Sequence, residues 1–200
     1  AMQGPLDEVS AREALGSILE ETERLTGLVD SLLVLVRGDS GGLRMIFETV
    51  DLSDVVREVT GELRVLAEEK NQMLAVDATA PVAATADPAT VRQALINVIH
   101  NAIRYTPPGG RIVVTAAATA DDRAVIDVID NGPGIPKGER NRVFERFYRL
   151  DKARSVADGG AGLGLAIARW AIAANGGTIE FVDKTGAGAH CRITLAAGRS

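Results

Sequence analysis

The chain has 200 residues, a formal net charge of −5, two histidines and a single cysteine. That charge excludes a basic nucleic-acid surface as the main feature, the lone Cys191 excludes an internal disulfide and fits a reducing compartment, and no apolar run reaches the length of a membrane span. With 46% hydrophobic but only 4% aromatic residues, a core must be built from Val, Ile, Leu and Ala, and the length suits one domain plus an attached element.

Residues 1–5 carry no pattern, and Ala1-Met2 reads as a cloning remnant, so a piece of a longer protein is expected. Residues 6–37 read as one long helix. Leu15, Ile18, Thr22, Leu25, Val29, Leu32 and Val36 follow alternating steps of three and four, which is a heptad seam. Leu19, Leu28, Leu33 and Leu35 widen the stripe, and a wide stripe suits a helical bundle better than a bare two-stranded coil. A helix packed on its own domain is the alternative. The run Gly38-Asp39-Ser40-Gly41-Gly42 favours a separate element, and a sustained heptad favours helix pairing. The expected division is a dimerisation helix over 6–37, a linker over 38–42 and a second domain over 43–200.

Leu43 to Val50 reads as a short strand. Asp51 or Ser53 can cap a helix that runs to about Lys70, with Val55, Val56, Val59, Leu63 and Leu66 on one face. Gln72 to Asp77 and Val82 to Ala86 read as strands. Asp87-Pro88 starts a helix, since Asp accepts backbone N–H bonds and Pro is pre-set for the first turn. This helix carries QALINVIHNAIRY and breaks at Pro107-Pro108. Val91, Ala94, Leu95, Val98, Ile99, Ala102 and Ile103 form its apolar face. Gln93, Asn97, Asn101 and Arg104 line up opposite. That row is either a solvated face or a set of groups placed to meet something charged.

Arg111 to Thr119 and Arg123 to Asp130 read as a hairpin across Asp121-Asp122, ended by Asp130-Asn131-Gly132-Pro133-Gly134. Lys137 to Phe147 reads as a short helix, and Tyr148 to Gly160 as a loop without periodicity. Leu163 to Ala174 reads as an apolar helix stopped by Asn175-Gly176-Gly177. Thr178 to Asp183 and His190 to Leu195 close the chain as a hairpin around Gly186-Ala187-Gly188. The pattern predicts an α+β fold: a two-layer α/β sandwich with a mixed, mostly antiparallel sheet, preceded by a long helix of a dimerisation bundle.

Two glycine-rich stretches bear on chemistry. An ionised Asp130 at a strand end only accepts hydrogen bonds. It would select an adenine amino group over the oxygen that guanine presents. The Gly-x-Gly after it permits a sharp turn and close approach of a flat ligand. The same residues also make an ordinary turn. Gly160, Gly162 and Gly164 precede a helix, whose N-terminal N–H groups and positive dipole end suit phosphate. A glycine hinge before a buried helix is the other reading. The dinucleotide fingerprint fails, because Leu165 and Ile167 stand where its last glycine would be, and no G-x-x-x-x-G-K-S/T loop is present.

QALINVIHNAIRYTPP, VIDNGPGIP and GGAGLGLAI occur in this order and spacing. Together they resemble the N box and the two glycine boxes of the catalytic ATP-binding domain of bacterial sensor histidine kinases, a branch of the ATPase superfamily that includes gyrase, Hsp90 and MutL. Val143 to Phe147 resembles the family's F box. The resemblance runs from about Leu43 to the end, and Leu6 to Arg37 resembles the second helix of the dimerisation and phosphotransfer hairpin.

The resemblance implies a protein histidine kinase that binds ATP and Mg²⁺. It assigns Asp130, with Gly132 and Gly134, to the adenine. Asn101 would offer an oxygen to Mg²⁺, a hard cation that keeps several waters. Arg104 would reach a phosphate, where the family usually has Lys, and Tyr105 would pack on the base. Gly160, Gly162, Leu163 and Gly164 would cradle phosphate, with Arg149 and Arg154 as candidates for the terminal phosphate. Asn97, Asn101 and Arg104 form the implied catalytic set. Hydrolysing relatives tend to have Glu at the position of Asn97. An amide cannot take a proton from water, so phosphoryl transfer with slow hydrolysis is expected.

The family's acceptor histidine lies in an H-E-x-x-x-P-like context that neither His100 nor His190 has. This chain alone is expected not to autophosphorylate. Where relatives often carry Ser or Thr and then a large aromatic, Ala189 and Cys191 stand here. The implied partners are a response-regulator receiver domain and a second copy through the N-terminal helix, with no nucleic acid. A cytoplasmic piece of a parent anchored in the bacterial inner membrane is expected. A serine kinase of the anti-sigma-factor type and a nucleotide-binding or dimerisation module without kinase activity are the competing readings.

Overall fold

A computed structural model of the chain describes residues 8–39, 44–150 and 161–198. Helix α1 spans Glu8–Asp39. Then come β1 (Glu48–Asp51), α2 (Leu52–Glu69), β2 (Met73–Asp77), β3 (Ala83–Ala86), α3 (Pro88–Tyr105), β4 (Arg111–Ala118), β5 (Arg123–Asp130), α4 (Gly164–Ala174), β6 (Thr178–Phe181) and β7 (His190–Ala196). Five strands form one sheet in the order β2-β4-β5-β7-β6, and β1 pairs with β3 apart from it. β2 runs parallel to β4, and every other neighbour is antiparallel. α2, α3 and α4 cover one face, with α3 packed between the other two. The expected two-layer sandwich is therefore the observed one.

Strand alternation sets the core. Ile112, Val114, Ile126, Val128, Cys191, Ile193 and Leu195 point to the helices and are buried with Leu95, Ile99 and Ile172. On the outer face Asp127 stands opposite Arg192, whose Nε and Nη2 donate to its two oxygens at 2.8 and 3.0 Å. His190 Nε2 lies 2.8 Å from the same carboxylate. Burial alone would raise the Asp127 carboxyl, but the Arg192 hydrogen bonds and the nearby His190 outweigh it and hold it below the usual range. His190 thus belongs to a structural cluster on the sheet.

The helix starts follow the sequence. Asp51 Oδ1 caps α2 by accepting from Ser53 N–H at 2.9 Å, and it also takes Val82 N–H at 3.0 Å. Asp87 Oδ1 caps α3 through Thr90 N–H at 2.9 Å, while its other oxygen takes Ile46 N–H at 2.8 Å. Asn175, just past α4, accepts from Asp87 N–H at 2.7 Å and donates to Thr90 Oγ1 at 2.8 Å.

The end of α3 leaves two carbonyls to satisfy. In a continuing helix, Ile103 and Arg104 would accept from the N–H groups of residues 107 and 108, and both are proline. The turn between α2 and β2 supplies the missing donors. Lys70 Nζ donates to Ile103 O at 3.2 Å and to Arg104 O at 3.1 Å. Gln72 Nε2 donates to Ile103 O at 2.9 Å and to Thr106 O at 2.6 Å. The Lys70 ammonium also sits at the negative end of the helix dipole.

Three expectations change. The strand expected over 43–50 is confined to Glu48–Asp51. The helix expected over 137–147 is instead two 3₁₀ turns, Lys137–Glu139 and Arg142–Phe144. Val143 and Phe144 are both buried, Phe144 packs on Phe181 with ring centroids 5.3 Å apart, and Phe147 takes φ 63° to donate to Gly162 O at 2.9 Å. The left-handed Phe147 cannot continue an α-helix.

The third change is that α1 continues through Gly38 to Asp39 and packs on α4. Leu35 is fully buried against Leu163 and Ile167, with Leu28, Val34, Ala161 and Trp170 alongside. A Cβ on Gly38 would collide with the Trp170 indole, so glycine permits the approach. The rest of the heptad seam, including Leu15, Ile18, Leu25, Val29, Leu32 and Val36, stays exposed. One face of the helix meets α4 and another is left outward. No helix among the described residues is long and apolar enough to cross a membrane.

Candidate functional site

Asp130 ends β5 beside the turn that glycine makes possible. Its Oδ1 accepts from Gly132 N–H at 2.8 Å and from Ala189 N–H at 3.0 Å. Among the described residues nothing is bonded to Oδ2. Asn131 fastens the turn to β4, with its Oδ1 accepting from Arg111 N–H at 2.8 Å. A Cβ on Gly132 would sit 3.1 Å from Tyr105 O. The end of α3 therefore abuts the first glycine turn, which places the Tyr105 backbone beside Asp130 and Gly132. Gly134 adopts φ 76° and a Cβ there would lie 2.7 Å from Gly188 O.

The polar row of α3 meets the second glycine stretch. Asn97 Nδ2 donates to Gln93 O at 2.9 Å. That leaves Asn97 Oδ1 facing α4, where a Cβ on Gly164 would come within 3.1 Å of it. Gly162 adopts φ 70° against the backbone of Phe147 and Tyr148. Leu163 is buried, so its side chain belongs to the joint with α1 and only its backbone faces the glycine turn. Asn101 is half-buried on α3, and its carboxamide has no hydrogen bond among the described residues. Arg104 lies with its guanidinium 5.7 Å from the centroid of the Tyr105 ring. Its neighbour His100 lies in a cleft with Leu66, Glu69, Lys70 and Ile103.

Tyr148 donates its hydroxyl to Glu139, and Arg142 stacks 4.5 Å from its ring centroid. These contacts anchor the chain just before Arg149. Arg154 and Gly160 lie outside the described residues. The sequence reading passed over Lys70, Gln72 and Lys184. Pro107-Pro108 was the available signal for the first two, because it orphans two carbonyls. Lys184 had no signal beyond its place in a turn.

The model of the histidine kinase-, DNA gyrase B- and HSP90-like ATPase family matches residues 86–199. This chain belongs to that family. It is 35% identical over 178 residues to the sensor protein IrlS of Burkholderia pseudomallei, covering 89% of this chain and 38% of IrlS. It is 37% identical over 179 residues to the signal transduction histidine-protein kinase/phosphatase MprB of Mycobacterium avium, covering 89% of this chain and 33% of MprB. The crystal structure of full-length ShkA in complex with AMPPNP matches with a TM-score of 0.82 at 28% identity, covering 100% of this chain and 41% of ShkA. The chain spans 33 to 38% of the length of these two curated relatives.

Proposed function

We propose that the chain is the ATP-binding catalytic region of a two-component sensor histidine kinase, which transfers the γ-phosphoryl group of ATP to a histidine on a dimerisation domain. The observation that carries this reading is Asp130. Two backbone N–H groups engage one carboxylate oxygen, and the other has no hydrogen bond among the described residues, beside a turn whose glycines carry no side chain. At the position where adenine presents its amino donor to such an oxygen, guanine presents a carbonyl oxygen, which an ionised carboxylate repels. The contact of Asn97 with Gly164 supports a phosphate site at the start of α4, where N–H groups and the helix dipole favour anions.

Bound Mg²⁺ would neutralise charge on the phosphates. Among the described residues no group of three His, Cys, Asp or Glu could hold a metal. A single carboxamide oxygen suits an ion held mainly by nucleotide phosphates and waters, and Asn101 would be its ligand from this chain. Arg104 holds positive charge near the phosphates, and Tyr105, 48% exposed, offers a ring face to the base. Asn97 orients without accepting a proton from water, which favours transfer over hydrolysis. Arg149 is assigned to the terminal phosphate, as is Arg154.

A response-regulator receiver domain as downstream partner, pairing with a second copy along the exposed α1 seam, and a parent anchored in the bacterial inner membrane belong to the same proposal. The test is calorimetric titration with ADP and GDP, each with and without Mg²⁺. Saturable, Mg²⁺-dependent binding of ADP alone is expected. Asp130→Ala should abolish it with the fold intact, and Asn101→Ala should chiefly remove its Mg²⁺ dependence. Unchanged ADP affinity in the Asp130 variant would refute the site.

A further inference from the structure

The turn between β6 and β7 grips Asp130 at its backbone and at its carboxylate. Asp130 N–H donates to Ala189 O at 3.0 Å, and Ala189 N–H donates back to Asp130 Oδ1 at 3.0 Å. Gly188 takes φ 104°, and a Cβ there would collide with Asp130 O. Gly186 also has positive φ, at 86°. A turn of Gly186-Ala187-Gly188-Ala189 has no side chain long enough to hold itself in place, and glycine loses the most freedom on ordering. Lys184 crosses the joint. Its Nζ donates to Asp130 O at 2.6 Å and to Ala187 O, on the tip of the turn.

We propose that Lys184 is a positioning residue for adenine recognition. It clamps the Asp130 peptide to the 184–189 turn, so that Ala189 N–H holds Oδ1 and Oδ2 is presented to the base in a fixed direction. The inference rests on the assignment of Asp130 to adenine. The physical reason is pre-organisation. Ala189 brings no side-chain donor, so the carboxylate is oriented by backbone N–H groups alone, and those are only as fixed as the turn that carries them. Without the clamp, the cost of ordering turn and carboxylate falls on the binding step. The effect is selective, because only a base that donates to Oδ2 gains from its orientation.

The test compares the wild-type chain with Lys184→Met, Lys184→Arg and Asp130→Asn. Affinities for ADP and GDP are read by competition against a fluorescent ADP analogue, so that weak GDP binding is measurable, and thermal midpoints are followed alongside. Lys184→Met should weaken ADP by about tenfold, the scale of one charge-assisted hydrogen bond. GDP should stay within about twofold, so the ADP:GDP preference falls in step, and Lys184→Arg should restore most of it. If Lys184→Met keeps the wild-type preference while Asp130→Asn loses it, the Lys184 role is overturned and the Asp130 assignment stands. Equal weakening of ADP and GDP, with no rescue by Arg, also overturns it, since that marks general loosening of the turn. If Asp130→Asn keeps the wild-type preference, the assignment of Asp130 itself fails, and the Lys184 role with it.

Discussion

Gln72→Leu tests whether α3 is held at its end by residues outside it. Gln72 is 5% exposed and Leu fills nearly the same volume, so packing changes little. What goes is a pair of donors. Thr106 O loses its hydrogen bond of 2.6 Å, and Ile103 O keeps only Lys70 Nζ at 3.2 Å. Pro107 and Pro108 cannot replace them. A buried carbonyl left without a partner costs about 1–3 kcal/mol. Gln72 Oε1 is itself buried without a partner, so its removal returns part of that. The net destabilisation should be about 2 kcal/mol, read as a lower urea midpoint at unchanged slope. Lys70→Met provides a second arm. Both side chains serve Ile103 O, so the double variant should cost more than the two singles together, by about 0.5 kcal/mol or more. A shift below about 0.5 kcal/mol for Gln72→Leu, with strictly additive singles, would refute the reasoning.

Asp87 makes a pH prediction. Burial alone would raise its carboxyl, but N–H groups of Ile46 and Thr90 and the Thr90 hydroxyl outweigh it and hold it low. A folded value below the unfolded one means the stabilisation is complete above the unfolded value of about 3.9 and fades as pH falls through the folded value. Asp87→Ala should therefore cost about 2–3 kcal/mol at pH 7, with the penalty shrinking below about pH 4 in urea unfolding at a series of pH values. A penalty independent of pH would show that the carboxylate charge is irrelevant. Cys191 gives a probe of β7. Burial, then the charges of Asp127, Asp130 and Glu180, pushes its thiol far up. The native chain at pH 8 should resist thiol reagents that label it readily once unfolded, and fast native labelling would mean that β7 is not in the core.

The layer architecture could be read from the chain because local signals agreed with it. Asp87-Pro88 and Pro107-Pro108 bracket α3 within a residue. Asp121-Asp122 marks the β4–β5 turn, where Asp122 takes φ 57°. The three motifs converge through glycines whose missing Cβ atoms let Asn97, Tyr105 and Gly188 come close. What escaped was set by tertiary contact. The segment over 137–147 breaks up because Phe147 turns left-handed to reach Gly162 O, about fifteen residues on. Leu35 looked like extra width on a heptad and is instead the peg that seats α1 on α4. Lys70 and Gln72 lie about thirty residues from the carbonyls they satisfy. Spacing along a helix carries no record of such partners.

Leu163 sits in two structures at once. Its backbone belongs to the glycine turn that opens α4, and its side chain holds Leu35 of α1. Were an anion to occupy that turn with different affinity in the two positions of the peg, its binding and the seating of the long helix would be linked through Leu163. An anion that binds more tightly with the peg seated must, by the same factor, make the peg harder to withdraw. A torque applied far up α1 would then reach the glycine turn through the contact of Leu35 with Leu163, as a change in dissociation constant.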